Sequence, residues 1–393
     1  MISIRRQLLG LGFAAASSLV AMQAAHALTG PTAITIDGGP LGQLSLSGGA
    51  DGYGFYNNNA VAGAKDKGIY MGDGMVELQK TTGVLQFTIE VGSVGGAIVL
   101  GGTQPFSQTS VNFFRTGPLY LGYVTIAPPN SPVTLSAGHL ASLEGYESTI
   151  NWVNPSQFVT SIFAVQNSSS TGVQLNGTEG PVSASVQFGD GNDTGVWNYG
   201  QALVTYTIDS NNVANVYGAM NFGRTGPHAF YYGGNTVGTG PTSNAIFTNN
   251  WMVGGFYSWT GADLFQKGDS LNVIPEVQYV FAKTDHIMGL DKSTSNFGAA
   301  VFGTYAFANT PYSLGGWVEY ENSQGAGFWF AGPNSEAVGA ALSPTWQYKY
   351  LFARANVGLL YLLNNKQFST SSYNNDGTGK LQFLSTLQAG VLF

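Results

Sequence analysis

The chain has no cysteine among its 393 residues. That excludes disulfide staples, thiolate metal sites and cysteine nucleophiles, so the fold must hold by backbone pairing and packing. Charge is scarce as well: only 9% of residues are charged, against about a quarter in soluble domains. Basic residues are the rarer sign, 14 Lys and Arg against 21 Asp and Glu. Nucleic acid is therefore a poor partner, because its phosphates demand Lys and Arg. After residue 22 no window offers the roughly twenty consecutive apolar residues of a membrane helix. What is present is 55 glycines, 13% aromatics and alternating runs of apolar and polar residues, the composition of β-structure.

The N-terminus reads as a secretory leader. Arg5 and Arg6 give the positive start, Leu8 to Met22 the uncharged apolar core, and Ala25-His26-Ala27 the A-x-A cleavage site. The sequence predicts removal of residues 1–27, a lead-in over 28–52 and a barrel over 53–393. Without Arg5 and Arg6 the balance is 12 basic against 21 acidic residues, or −9.

The last fourteen residues alternate with period two. Leu381, Phe383, Ser385, Leu387, Ala389, Val391 and Phe393 share one face, and Lys380, Gln382, Leu384, Thr386, Gln388, Gly390 and Leu392 the other. An alternating strand that ends on an aromatic suits the closing strand of a transmembrane barrel, apolar toward lipid and polar toward the lumen. Such a terminal Phe also resembles the signal that the outer-membrane barrel assembly machinery reads.

Hairpins of the same kind recur along the chain. Val76 and Leu78 turn at 81–83 into Leu85, Phe87, Ile89 and Val91, and five comparable units follow from Val173 to Leu359. Tyr53 to Asn57 is the first candidate strand, and the faces of Leu119 to Ile126 cannot be assigned. About sixteen strands result, an even number. Connections at 81–83, 127–132, 178–181, 209–212, 308–311 and near 349 are short. Those at 57–70, 93–115, 142–171, 189–200, 223–249, 283–296, 323–336 and 363–379 are long. Thr260 to Ser270 is a long connection on the short side. The pattern predicts an all-β, antiparallel up-and-down transmembrane barrel with short periplasmic turns and long external loops. Aromatics at strand ends, Trp259, Tyr305, Phe307, Tyr312, Trp346, Tyr348 and Phe393 by the short turns and Trp251, Tyr320 and Tyr361 opposite, suit interfacial girdles.

Strand parity puts Glu77, Gln86, Glu90, Glu276, Gln278, Glu319, Glu321 and Arg354 on the polar, pore-lining face. A charge there biases ion selectivity; alternatively these groups brace the wall, for example with Arg354 paired to a Glu. Asp190-Gly-Asn-Asp193 superficially resembles a calcium run, but it lacks a closing bidentate Glu and reads as an Asx turn. No H-E-x-x-H or G-x-S-x-G is present, and His139, His228 and His286 stand in no catalytic motif. No cofactor, metal site or catalytic residue is expected.

The stretch Val133-Thr-Leu-Ser-Ala-Gly-His-Leu-Ala-Ser-Leu-Glu-Gly-Tyr-Glu147 resembles the strand motif of the OmpL-like β-barrel porins, which runs into Gly-Tyr-Glu. The hairpin from Thr171 to Val186, Pro275 to Phe281 and Leu314 to Glu321 are similar to that family's later strands. Where the motif has Lys-Phe after its Gly, this chain has His139-Leu140, so no cationic role carries over. The resemblance implies a bacterial outer-membrane channel passing small hydrophilic solutes or ions, with outer-membrane lipid around it. A cation bias follows from the carboxylates, not from the resemblance. An outer-membrane hydrolase and a structural or adhesive barrel are the alternatives; a plug-bearing receptor is disfavoured, because only about 25 residues precede the first strand.

Overall fold

The computed structural model describes residues 28, 30–58, 65–100, 118–167, 169–191, 193–224, 231–232, 235–236, 250–286, 291–325, 334–364 and 379–393. The expected leader lies outside them. Sixteen strands follow one another around a closed antiparallel sheet: β1 Gln43–Asn58, β2 Lys67–Lys80, β3 Leu85–Ser93, β4 Leu119–Ile126, β5 Val133–Ala141, β6 Ser169–Glu179, β7 Val182–Gly189, β8 Tyr199–Thr207, β9 Asn212–Asn221, β10 Asn250–Ala262, β11 Ser270–Ala282, β12 Thr294–Ala306, β13 Tyr312–Gly325, β14 Glu336–Tyr348, β15 Leu351–Asn364 and β16 Leu381–Leu392. Each pairs with its sequence neighbours, and β16 pairs back onto β1 from Gly49↔Leu392 to Asn58↔Phe383. At the seam the Gly48 N–H donates to the Phe393 carbonyl at 2.8 Å and the Phe393 N–H to the Gly48 carbonyl at 2.9 Å. A short strand, Ile34–Asp37, pairs with the base of β1 from Ile34↔Leu46 to Asp37↔Gln43.

The alternation read from the sequence is the alternation of the wall. Along β16, Leu381, Leu387, Ala389 and Val391 are exposed, while Gln382, Leu384, Thr386, Gln388 and Leu392 are buried. Leu387 is 72% exposed, and Val204, Val216, Val277, Val318, Leu342 and Leu359 are exposed around the circumference. An apolar band of that extent on a closed wall fits a hydrocarbon surround and not water. Rings gather at strand ends: Tyr305 meets Phe307 edge-on at 4.8 Å, Trp346 stacks with Tyr348 at 6.5 Å, and Trp251 lies 5.6 Å from both Tyr279 and Phe281.

The tight turns put Asn130, Gly180, Asn309 and Lys349 in the left-handed region that such turns require. The long connection after β10 is ordered by one side chain. The Asp269 carboxylate accepts the N–H groups of Leu264, Phe265 and Gln266 at 2.8–2.9 Å and the Tyr305 hydroxyl at 2.7 Å.

Two expectations need correction. The first strand begins at Gln43, ten residues before Tyr53, so the lead-in over 28–52 contributes the base of the wall. Gly48, Gly49, Gly52 and Gly54 erase the alternation there. Gly48 and Gly49 have a packing reason: a Cβ at Gly48 would sit 2.3 Å from the Met75 carbonyl oxygen and 2.9 Å from the Phe393 ring, and one at Gly49 2.7 Å from Leu392. The second strand starts at Lys67, not near Val76. Finally, the faces of β4 resist reading because the register slips between Glu90 and Val91, so that Tyr120 and Leu121 are both buried.

The closing seam yields a test. Phe393→Asp places a charge where the ring covers Gly48, so export should continue while folded barrel in the outer membrane falls at least tenfold, read as heat-modifiable migration on gels. Unchanged yield would count against the seam as the assembly signal.

Candidate functional site

Inside the barrel, two connections fold inward and meet the wall near the middle of its strands. Residues 94–100, after β3, and 142–167, after β5, join by a parallel bridge of Ile98–Val99 with Phe158–Val159. Ile98, Leu100, Phe158 and Ile162 pack against Ile274, Phe302, Trp317, Leu360 and Leu384 of the wall as one apolar cluster. Glycines make room for this approach. A Cβ at Gly315 would lie 1.9 Å from the Pro155 carbonyl oxygen, and one at Gly358 2.8 Å from both Leu100 and Phe158.

The polar wall meets the segment's backbone. Ser161 donates its N–H to Glu319 at 2.7 Å, and the Trp317 indole donates to the Phe158 carbonyl at 2.6 Å. Gln278 accepts from Gln166 at 2.9 Å, and the Tyr217 hydroxyl donates to Glu276 at 2.7 Å. Asn356 accepts the Gln157 N–H at 3.2 Å and the Ser343 hydroxyl, which itself lies 2.8 Å from the Ser156 hydroxyl. Arg354, fully buried, donates to the carbonyls of Asn151 at 3.4 Å and Asn154 at 3.3 Å and to Thr345 at 3.3 Å. Its partners are carbonyls and a hydroxyl, not the glutamate considered from the sequence.

The eight residues expected to line a pore thus fall into two groups. Glu276, Gln278, Glu319 and Arg354 are bonded to the inward segment or packed beneath it, and Glu321 accepts from Asn296 at 2.8 Å. Glu77 and Glu90 instead border a cavity of about 800 Å³ between the segment and the short-turn end, while Gln86 donates to the Gly83 carbonyl at 3.0 Å. Glu144 and Glu147 of the segment also line that cavity, with Gln79, Asn215, Asn272 and Thr304 from the wall.

Sequence reading missed four carboxylates. Asp73 accepts the N–H groups of Gly95 and Gly96, both at 2.7 Å, and the Asn151 N–H at 2.6 Å. Asp51 accepts from Asn151 Nδ2 at 2.6 Å and Gln388 Nε2 at 3.0 Å. Both sit in the glycine-rich part of β1 and β2 whose alternation was illegible; Asp73 lies between Gly72 and Gly74 and Asp51 just before Gly52, and an acid in a glycine-rich strand was the available signal. Glu144 and Glu147 looked like ordinary loop acids. Glu144 accepts the Asn167 N–H and the Tyr199 hydroxyl, each at 2.7 Å, and Glu147 accepts the Thr160 N–H at 3.0 Å.

His139 is tied down. Its Nε2 lies 2.8 Å from Asp193 Oδ1, and the Ser169 hydroxyl donates to Asp193 Oδ2 at 3.0 Å. Asp190 accepts the N–H groups of Thr171 at 2.6 Å and Gly195 at 2.9 Å, so the carboxylates of the calcium-like run serve their own chain. His286 pairs with Asp291 at 3.1 Å on the surface, and His228 lies outside the described residues.

A closed sixteen-strand wall with an inward segment after the fifth strand can be set beside known proteins. The model of the family described as "Putative beta-barrel porin-2, OmpL-like" matches residues 43–393. The chain belongs to that family. This porin barrel is similar in fold to OmpT, an outer membrane protein of Vibrio cholerae, in its in-vitro folded form, with a TM-score of 0.55 and 12% identity, covering 90% of this chain and 98% of that one. It is likewise similar to an anion-selective porin from Comamonas acidovorans, with a TM-score of 0.54 and 10% identity, covering 89% of this chain and 99% of that one. No curated protein matches the chain. The porin family places it in the bacterial outer membrane.

The segment's acids make its seating pH-dependent. Burial pushes the Glu144 carboxyl from 4.5 up to about 7, against the opposing bonds from Asn167 and Tyr199. Burial, and secondarily the charges of Glu276 and Glu319, hold Glu147 well above the usual carboxylate range. Once released into water, both acids return to ordinary values, so the seated segment binds more protons than the released one. That stabilisation is complete below about pH 4.5 and is lost as pH rises through 7. Single-channel current should be steady at pH 5 and flicker, with larger steps, at pH 8. A variant with Glu144→Gln and Glu147→Gln should keep the pH 5 behaviour throughout; a wild-type record unchanged between the two pH values contradicts this.

Proposed function

We propose that this outer-membrane porin is a narrowed, water-filled channel for small hydrophilic solutes, favouring cations at neutral and alkaline pH. One observation carries the reading: the cavity inside the closed wall is bordered by Glu77, Glu90, Glu144 and Glu147, and neither Lys nor Arg borders it among the described residues. A low-dielectric wall bearing carboxylates concentrates cations and repels anions. Glu276, Glu319 and Glu321, buried against or beside the segment, act on the channel through its seating. The anion selectivity of the Comamonas acidovorans porin says nothing about the sign here, since the likeness is one of fold.

Chemistry at the histidine supports a channel over a hydrolase. A nucleophile needs a base within hydrogen-bond reach and a third group behind that base. At His139 the order is histidine, aspartate, serine, with Asp193 in the middle and the Ser169 hydroxyl donating to it. The serine therefore lacks a base, and the group serves as a pin between β5, β6 and the connection after β7. A purely structural or adhesive barrel would bind through its long loops and carry no current.

Planar bilayers decide the matter. A tenfold KCl gradient at pH 8 and low salt should give a reversal potential of the sign for potassium over chloride, shrinking toward zero at pH 5 as Glu144 takes up its proton, and shrinking with salt as the wall is screened. An anion-selective channel would overturn the assigned role of the carboxylates, and absence of conductance would overturn the channel.

A further inference from the structure

Leu28 lies inside the barrel. Its side chain is 3% exposed and packs in a cluster with Met75, Tyr120, Leu121, Trp152, Phe352 and Leu392. The chain reaches this position from the short-turn end. Ile34–Asp37 pairs with the base of β1, on the edge of that strand facing β16, beyond the last β16 pairing at Leu392. Gly30, Pro31 and Ala33 then border the same cavity as Glu77 and Glu90. If the leader is removed after Ala27, Leu28 is the first residue of the mature protein and carries an α-ammonium, ordinarily of pKa about 7.7–8.0.

Two carboxylates face each other in that cavity. Glu77 and Glu90 are direct partners across the β2–β3 ladder, an arrangement that like charges disfavour. Glu90 is buried, and its Oε2 has no hydrogen-bond partner. Glu77 accepts from the Ser47 hydroxyl at 3.1 Å and from Gln79 Nε2 at 2.9 Å, both neutral groups, and is hydrogen-bonded to Glu90. Among the described residues no Lys or Arg is ion-paired with either. Leu28 shares its apolar cluster with Met75, two residues before Glu77 on the same strand, and with Leu121, the cross-strand partner of Glu90. The first residue of the mature chain therefore borders the same cavity as the pair.

We propose that the mature N-terminus is an internal ligand of the barrel: the α-ammonium of Leu28 pairs with Glu77 and Glu90, while the Leu28 side chain anchors it in the vestibule. An amide in the precursor has no charge to offer, so leader removal creates the counter-ion. With Glu77 and Glu90 neutralised in this way, Glu144 is left as the carboxylate that sets selectivity. The inference rests on cleavage after Ala27 and not on conduction.

The test uses the protein purified from outer membranes. N-terminal sequencing is first expected to read Leu-Thr-Gly-Pro; a chain beginning elsewhere overturns the cleavage and with it the inference. Zero-length coupling with a water-soluble carbodiimide on the folded protein should then join the Leu28 α-nitrogen to the side chain of Glu77 or Glu90, identified as a cross-linked peptide by mass spectrometry. The same peptide should be absent from heat-denatured protein and reduced at least tenfold in a variant carrying Glu77→Gln and Glu90→Gln. The wild-type result stands without that variant. Absence of the coupled peptide from folded wild type, in a chain that does begin at Leu28, overturns the pairing while leaving the channel reading untouched.

Discussion

In hydrocarbon no water is available to satisfy a backbone N–H or C=O, so a sheet that crosses a membrane has to close on itself. That single requirement organises this molecule. The reciprocal bonds between Gly48 and Phe393 complete the ring, and a Cβ at Gly48 would meet both the Met75 carbonyl and the terminal ring. Closure fixes which face of every strand meets lipid, and therefore which residues are forced inward. The buried row of β16, with Gln382, Thr386 and Gln388 on it, is polar for that reason.

A polar interior of this size must itself be satisfied, with few cations to do it. The chain solves this with backbone. Inward residues 94–100 and 142–167 present N–H groups to carboxylates: Gly95, Gly96 and Asn151 to Asp73, Thr160 to Glu147, Ser161 to Glu319 and Asn167 to Glu144. Arg354, the buried cation, spends its donors on the carbonyls of the same segment. Hydrogen bonds to ionised groups are worth roughly 1.5–3 kcal/mol each, but a half-satisfied network costs more than it returns. The seated segment is consequently firm where its partners are complete and responsive where its acids, Glu144 and Glu147, are held partly against their charge.

The wall was legible in the sequence and its contents were not. From Ala202 onward, period-two alternation is clean enough that faces, hairpins and girdle aromatics follow directly from residue order. Near Gly48 to Gly54 and Gly68 to Gly74 the pattern fails, because glycines carry no side chain to mark a face; at Gly48, Gly49, Gly68 and Gly72 a close neighbour fills the place of a Cβ. One slipped register at Tyr120 hides the faces of β4. The inward segment is a different problem. Ser156, Gln157 and Asn167 look like loop residues in sequence because their partners are far away in the chain; Gln157 answers to Asn356 and Ser156 to Ser343. The stretch from Val133 to Glu147 that carries the family resemblance does run into this segment, yet nothing local to it says that Glu144 and Glu147 turn inward and not outward.

The central claim is that residues 142–167 sit across the lumen in the resting protein, and the absence of native cysteine makes it directly measurable. Ser156 and Ser343 have hydroxyls 2.8 Å apart, close enough for a disulfide to replace them with little backbone movement. In the variant carrying Ser156→Cys and Ser343→Cys, the bond should form spontaneously in the oxidising periplasm, and single-channel conductance at pH 5 should be the same before and after reduction. Failure of the bond to form in folded barrel, or a several-fold change in conductance when it is reduced, would show that the segment ordinarily lies elsewhere.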